Sequence, residues 1–354
     1  MAPLRQISSA DAGLPAGSYI YKIISTASRQ DPLTYSLTDQ LACISSDDSL
    51  RFHSTDLQPD GVIANANENI TCLERANDAP SNVVATAGRD GLVRFWDKRS
   101  KQKVLEIQSP HKLVSALVCD AENNFVAAGI ENPEDGPTSS PVYIWDQRSP
   151  AAPLRSYVDT DGLINIFDTS QADEDDALYQ VVNHGSAIAH AGFMYPGTDI
   201  YAIGTDETVS FFALQSQKEE EEEPTPKVWG DVRAGLGCEY VVDLAWVGQQ
   251  ACVAAGKHSE NLLNLTPIDK GTNGPLDYSF DLDKSISFPG AHSEEIVRDL
   301  FTDTHTNTTY TCGEDGHIRA WKPSEESTMD VDEGSGSAKK RRKDKKEKAR
   351  FKPY

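Results

Sequence analysis

Seven short segments of this 354-residue chain look alike, and their spacing constrains the fold more than any other feature. They are RFHS (51–54), RFWD (94–97), YIWD (143–146), NIFD (165–168), SFFA (210–213), NLTP (264–267) and RAWK (319–322). Apolar residues lie one and three places before the anchors: Val93 and Phe95, Val142 and Ile144, Ile164 and Ile166, Val209 and Phe211, Ile318 and Ala320. A period of two means β-strand. Apolar runs such as LVSALV, AIAHAGF, YVVDLAW and EIVRDLF open the units, and NVVATAG, NFVAAGI, DIYAIGT, ACVAAGK and TYTCGED follow as second strands. Long helical periodicity is nearly absent.

A unit of about four short strands cannot bury both faces of its sheet, whereas seven units stacked radially share one continuous core. Asp90-Gly91, Asp161-Gly162 and Asp315-Gly316 precede three anchors, and their composition predicts two-residue type I′ hairpins, which need positive φ at both central residues. With two Trp-Asp pairs (Trp96-Asp97, Trp145-Asp146), a Phe-Asp and these turns in register, residues 15–323 resemble the WD-repeat β-propeller family. AHSEEIVRDLF followed by GEDGHIRAW, with a basic tail, looks most like the WD repeat-containing protein 89 group. The resemblance implies an all-β, seven-bladed propeller with its fourth blade truncated. A flexible N-terminus (1–14) is expected before it, and a disordered linker and basic tail (324–354) after it.

The resemblance also implies a structural tetrad in the last blade, where His292, Thr311, Asp315 and Trp321 match the family's pattern; elsewhere that pattern is not found. A catalytic triad is the competing reading of those residue types, but spacing that tracks the repeat favours structure. After Trp321 the chain turns polar, so the last blade lacks an outer strand. The apolar run SYIYKII (18–24) is expected to fill that place and close the ring, hiding two strand edges.

The anchors at 53, 96, 145, 167, 212, 265 and 321 are separated by 43, 49, 22, 45, 53 and 56 residues, so one unit is half length. PLRSYVD reads as the outer strand of the third blade and GLINIFD as the third strand of the fourth. Only 14 residues lie between Asp146 and Asp161, whereas three strands with their loops need about 25. The fourth blade therefore has no inner pair of strands. Either the junction VDTDGL is an exon-assignment or splicing product, or the blade is degenerate, and sequencing the transcript across it distinguishes the two. A real short form would expose faces of blades three and five and lower stability.

The formal charge of -22 divides unevenly: residues 338–354 carry ten Lys or Arg against two acids, leaving the remainder at -30. Lys339, Lys340, Arg341, Arg342, Lys343, Lys345 and Lys346 have the form of a nuclear localisation signal, read by an import receptor. Weak RNA contact through phosphates is the other reading of this arm, and without aromatics it has no means of reading a base sequence. The acidic segments QADEDDA (171–177) and KEEEEEPTP (218–226) read as loops between units on one rim, and the Pro-rich stretch 130–142 as an insertion in the third blade.

Six scattered cysteines without a CxxC pattern read as reduced and internal. No apolar run reaches the 18 or so residues of a membrane span, and the first 20 residues do not read as a signal peptide. GLGCEY is too poor in glycine for a phosphate loop, and DLDKSIS lacks the glycine and terminal Glu of a calcium loop. No catalytic signature stands out, so no enzyme activity, cofactor or metal is expected. His190, Asp243 and Asp299 share one slot of three inner strands and are candidate contacts in a central channel, suited to a basic side chain or peptide. The expectation is a nuclear interaction scaffold, its nuclear residence including the nucleolus, monomeric within a complex of protein partners. The alternatives are an acidic escort for basic clients such as ribosomal proteins or histones, and a hydrolase or isomerase on the same frame.

Overall fold

The alternation expected from the sequence is realised in a computed structural model that describes residues 2–27, 39–78, 80–131, 139–160, 163–171, 173–216 and 223–323. The first strand, β1 (Ala2–Asp11), belongs with the last sheet. β2 (Ile20–Ser25), β3 (Gln40–Ser45), β4 (Leu50–Ser54) and β5 (Pro59–Ile63) form the first antiparallel sheet. β6 (Ile70–Arg75), β7 (Val83–Gly88), β8 (Leu92–Asp97) and β9 (Gln102–Gln108) form the second, and β10 (Val114–Asp120), β11 (Phe125–Ile130), β12 (Ser139–Asp146) and β13 (Arg155–Thr160) the third. The fourth holds only β14 (Leu163–Phe167) and β15 (Leu178–Asn183). β16 (Ile188–Phe193), β17 (Ile200–Gly204), β18 (Thr208–Phe212) and β19 (Lys227–Asp231) make the fifth. The sixth comprises β20 (Tyr240–Val247), β21 (Gln250–Lys257), β22 (Leu262–Lys270) and β24 (Ile286–Pro289), with the short β23 (Tyr278–Phe280) also paired to β22. β25 (Val297–Asp303), β26 (Thr308–Gly313) and β27 (His317–Pro323) complete the seventh with β1. Six anchors fall in third strands, and the seventh, Phe167, lies in β14 of the half-length unit, the sheet with two strands.

The core is built between sheets rather than within them. Ile44, Leu50 and Phe52 of the first sheet pack on Leu73, Val84 and Trp96 of the second, and Phe95 and Ile107 of the second on Val126 and Trp145 of the third. Sheets five and six meet through Phe211, Val253 and Tyr278, sheets six and seven through Phe288 and Trp321, and the first and last through Ile23, Leu41 and Tyr310. Inner-strand residues such as Ile23, Leu73 and Leu244 bury against a neighbouring blade, so ring stability is cooperative rather than a property of any one sheet.

Closure differs from the expectation. Residues 18–24 do not form the outer strand of the last blade, because Ile20–Ser25 is the inner strand of the first. The outer strand comes from residues 2–11, which replaces the flexible N-terminus expected over 1–14 with ordered structure over most of its length. β1 pairs antiparallel with β27 from Leu4↔Pro323 to Asp11↔His317, and Ala2 and Pro3 pair in parallel with Ile286 and Ser287 of β24. The strand was illegible because a bulge between Gln6 and Ser8 breaks its alternation and leaves Ile7 exposed.

The Asp-Gly turns also differ. Gly91 and Gly316 have φ of 80° and 70°, but Asp90 and Asp315 are not among the positive-φ residues. The connections are therefore three-residue loops, a type I turn followed by a left-handed glycine, with Gly91 N–H bonding Gly88 C=O and Gly316 N–H bonding Gly313 C=O. Both aspartates turn back into the blade, where Asp90 accepts from Leu92 N–H and Asp315 from His317 N–H. The Asp161-Gly162 turn lies outside the described residues.

The acidic segments lie within units, not between them. Residues 168–177 join β14 to β15, with a short helix at Glu174–Ala177 capped by Asp173, and residues 213–226 join β18 to β19. Strand directions alternate, so both links from third to fourth strands emerge on the same rim. Residues 132–138 of the Pro-rich insertion and 217–222 of the second acidic segment lie outside the described residues.

Candidate functional site: the central channel

All six complete inner strands carry a register shift at the same place, between Ile20 and Lys22, Ile70 and Cys72, Val114 and Ala116, Ile188 and His190, Val241 and Asp243, and Val297 and Asp299. A bulge re-aims the side chain that follows it. The resulting column is Lys22, Cys72, Ala116, His190, Asp243 and Asp299, with no member from the half blade. The three candidates recognised in the sequence thus occupy equivalent slots, and Lys22 joins them. Lys22 is not legible as a channel residue from its run alone, because SYIYKII reads equally as an outer strand.

A channel cavity of about 670 Å³ is lined by Lys22, Glu74, Asp120, Glu122, Asp243 and Asp299 among others. Lys22 Nζ bonds Glu74 Oε1 at 3.0 Å. Burial opposes the charge on Lys22, but Glu74 and Asp299 outweigh it and raise the ammonium well above its ordinary pKa. Asp299 accepts from Ile23 N–H at 2.8 Å and from Leu300 N–H at 2.8 Å, tying the first blade to the seventh. Burial pushes its carboxyl up to about 7, against the opposing pull of Lys22.

Asp243 accepts from Leu244 N–H at 2.6 Å and lies 3.5 Å from His190 Nδ1. Its side chain keeps 38% of its surface open, but that surface faces a lumen walled by protein. Burial therefore raises its pKa despite the nearby His190. The column thus holds two carboxylates and a histidine besides a lysine already committed to Glu74.

The remaining polar constellation is internal. Trp321 Nε1–H donates to Thr311 Oγ1 at 3.0 Å, Thr311 lies 2.8 Å from His292 Nε2, and His292 Nδ1 lies 2.7 Å from Asp315 Oδ1. Burial holds His292 below its ordinary pKa, so the ring is neutral. One assignment of protons then satisfies every contact: indole to hydroxyl, hydroxyl to Nε2, and Nδ1–H to carboxylate. Arg319 braces Asp315 at 2.5 Å and Gly290 C=O at 2.8 Å. His292 and Thr311 are fully buried, so no substrate reaches them.

A second such array, absent from the sequence reading, occupies the second blade. Trp96 Nε1–H donates to Thr86 Oγ1 at 2.8 Å, Thr86 to Asn67 Oδ1 at 2.6 Å, and Asn67 Nδ2 to Asp90 Oδ1 at 3.1 Å. Asn67 offers an acceptor and a donor in the places of Nε2 and Nδ1–H, which is why an amide substitutes for the imidazole. The signal was present: Asn67, Thr86, Asp90 and Trp96 repeat the intervals of His292, Thr311, Asp315 and Trp321. In the third blade Val126 pairs with Trp145 as Val84 pairs with Trp96, which puts Ala128 where Thr86 stands. Without that hydroxyl, Trp145 Nε1 has no hydrogen-bond partner among the described residues. Lys339, Lys340, Arg341, Arg342, Lys343, Lys345 and Lys346 lie outside the described residues.

Radial four-stranded sheets, third-strand anchors and buried arrays of this kind define a repeat β-propeller. The model of the WD domain, G-beta repeat, matches residues 60–97. The uncharacterized WD repeat-containing protein YNL035C of Saccharomyces cerevisiae is 31% identical over 278 residues, 71% of this chain and 67% of its own. The uncharacterized WD repeat-containing protein C63.06 of Schizosaccharomyces pombe is 26% identical over 73% of this chain and 85% of its own. WD repeat-containing protein GTS1 of Arabidopsis thaliana is 24% identical over 71% and 69%. The chain belongs to the WD-repeat family.

Proposed function

We propose that this protein is a non-catalytic interaction scaffold of the nucleus, of the WD repeat-containing protein 89 type, which holds basic segments of partner proteins at an acidic channel. The observation that carries this reading is the division of its polar groups. Histidine, hydroxyl and carboxylate arrays are sealed inside blades, while Asp243, Asp299, Asp120 and Glu122 line an open channel. Affinity purification from nuclear extract, with and without residues 338–354, tests it: a defined complex that survives 0.5 M salt is expected. Recovery of nothing but the bait would remove the scaffold reading.

A second reading, an acidic escort for basic clients such as ribosomal proteins or histones, is favoured by the charge of -30 outside the tail. Screening separates the two, because long-range attraction fades beyond a Debye length of about 8 Å at physiological salt. Co-purification with many basic proteins that vanishes at raised salt supports the escort. Import is assigned to the tail, and deleting residues 338–354 should abolish nuclear accumulation of a fluorescent fusion; unchanged localisation would refute that assignment. RNA contact through the tail is tested by loss of crosslinking in the same truncation.

A further inference from the structure

Among the described residues six blades have four or more strands and one has two, and the two that are missing are the inner ones. Three observations describe the sector they leave. β14 pairs with β15 along one edge, and no strand pairs with the other edge among the described residues. The neighbouring inner strands are uncovered: Val118 of β10 is 56% exposed and Phe193 of β16 is 51% exposed, whereas Ile20, Ile23 and Ile24 on β2 are buried. The half blade is nonetheless fixed in place on its outer side. Tyr157 stacks on Phe167 at 4.5 Å, Gln180 Nε2 donates to Ala213 C=O at 3.1 Å, and Val182 packs with Ile200 and Phe212.

We propose that this sector is a strand-acceptor site, which receives a β-hairpin donated by a partner protein. The proposal rests on the scaffold reading and names where and how one partner binds. The complete blades set the dimensions of the occupant: two antiparallel strands of about six residues joined by a short turn, the outer one extending the sheet from β14. Its alternate side chains are apolar, to cover Val118 on one side and Phe193 on the other. The innermost strand places a Lys or Arg at the column position the half blade lacks. Charge complementarity requires this, since that slot follows Ala116 and precedes His190, beside a lumen lined by Asp120, Glu122 and Asp243.

The test uses a labelled synthetic hairpin copying residues 297–313 with Asp299→Lys and Cys312→Ser, followed by fluorescence anisotropy against the full chain. A companion protein carries the same hairpin grafted between Thr160 and Leu163, which fills the sector from within. Saturable binding to the parent is expected, weakened at least tenfold by Phe193→Asp and abolished in the graft, whose Tm rises by several degrees. Equal binding to parent and graft, or binding indifferent to Phe193→Asp, would overturn the proposal. So would absence of binding together with an unchanged graft Tm, or dimerisation of the parent that Phe193→Asp abolishes. Should the graft fail to fold, the Phe193→Asp comparison decides alone. Transcripts that all encode an additional two strands at this junction would also overturn it. If the hairpin fails to bind while a salt-resistant complex is still recovered, partners use the rims or the channel, and the scaffold reading stands without this site.

Discussion

Replacing Thr311 by valine keeps the shape of the side chain and removes the one atom on which two buried partners depend. Trp321 Nε1–H and His292 Nε2 both bond Thr311 Oγ1, and neither side chain has appreciable access to water. Each buried polar group left without a partner costs about 1–3 kcal/mol. Burial of the additional methyl offsets about 1 kcal/mol. The net loss is about 1–5 kcal/mol, and at roughly 2 °C per kcal/mol for a chain of this size the midpoint should fall by roughly 2–10 °C. Thermal melts followed by circular dichroism, with urea titrations to check two-state behaviour, measure it. A cycle with Trp321→Phe isolates the indole contribution, because Thr311→Val should cost about 1 kcal/mol less or better once no N–H is there to be orphaned. A loss below about 0.5 kcal/mol, or strict additivity with Trp321→Phe, would refute the assignment of protons along this array.

Thr86→Val should reproduce that loss in the second blade, since Thr86 bridges Trp96 and Asn67 in the same manner; a neutral effect in melts would show that the amide array is incidental. Removing residues 2–11 uncovers the edges of β27 and β24, so the truncated protein should melt broadly and aggregate in light scattering, whereas a sharp unchanged transition would contradict closure by this strand. Asp299 holds its proton up to about pH 7 in the fold but releases it near the ordinary carboxylate value of about 4 when unfolded. The folded state thus binds more protons between those limits, and the stability this confers is lost as pH rises through that window. The Tm of Asp299→Asn relative to the parent should therefore climb between pH 5 and pH 8, and a flat difference would mean that the carboxyl is already ionised throughout.

Much of this architecture was legible because third strands carry their signal locally. Val93, Phe95 and Trp96 are all buried, on both faces, by neighbouring blades, and such demand leaves a strong period-two imprint. The half-length unit followed from spacing alone, since chain length cannot be hidden. What escaped were features fixed by distant partners. The segment APLRQISSAD has little strand character of its own and is ordered by pairing with β27. Lys22 became a channel residue only once its strand was known to be innermost. The array around Asn67 is invisible to a pattern that demands a histidine, although the chemistry requires only a donor and an acceptor at the right separation.

Joining the first ten residues to the last sheet has a consequence for biosynthesis. The ribosome makes the sealing strand before its docking edge, some three hundred residues earlier. At about 5–20 residues per second that interval is roughly 15–60 s, during which blades can form but the circle cannot lock. A bulky fusion placed directly ahead of β1 would burden an element that must travel and dock late.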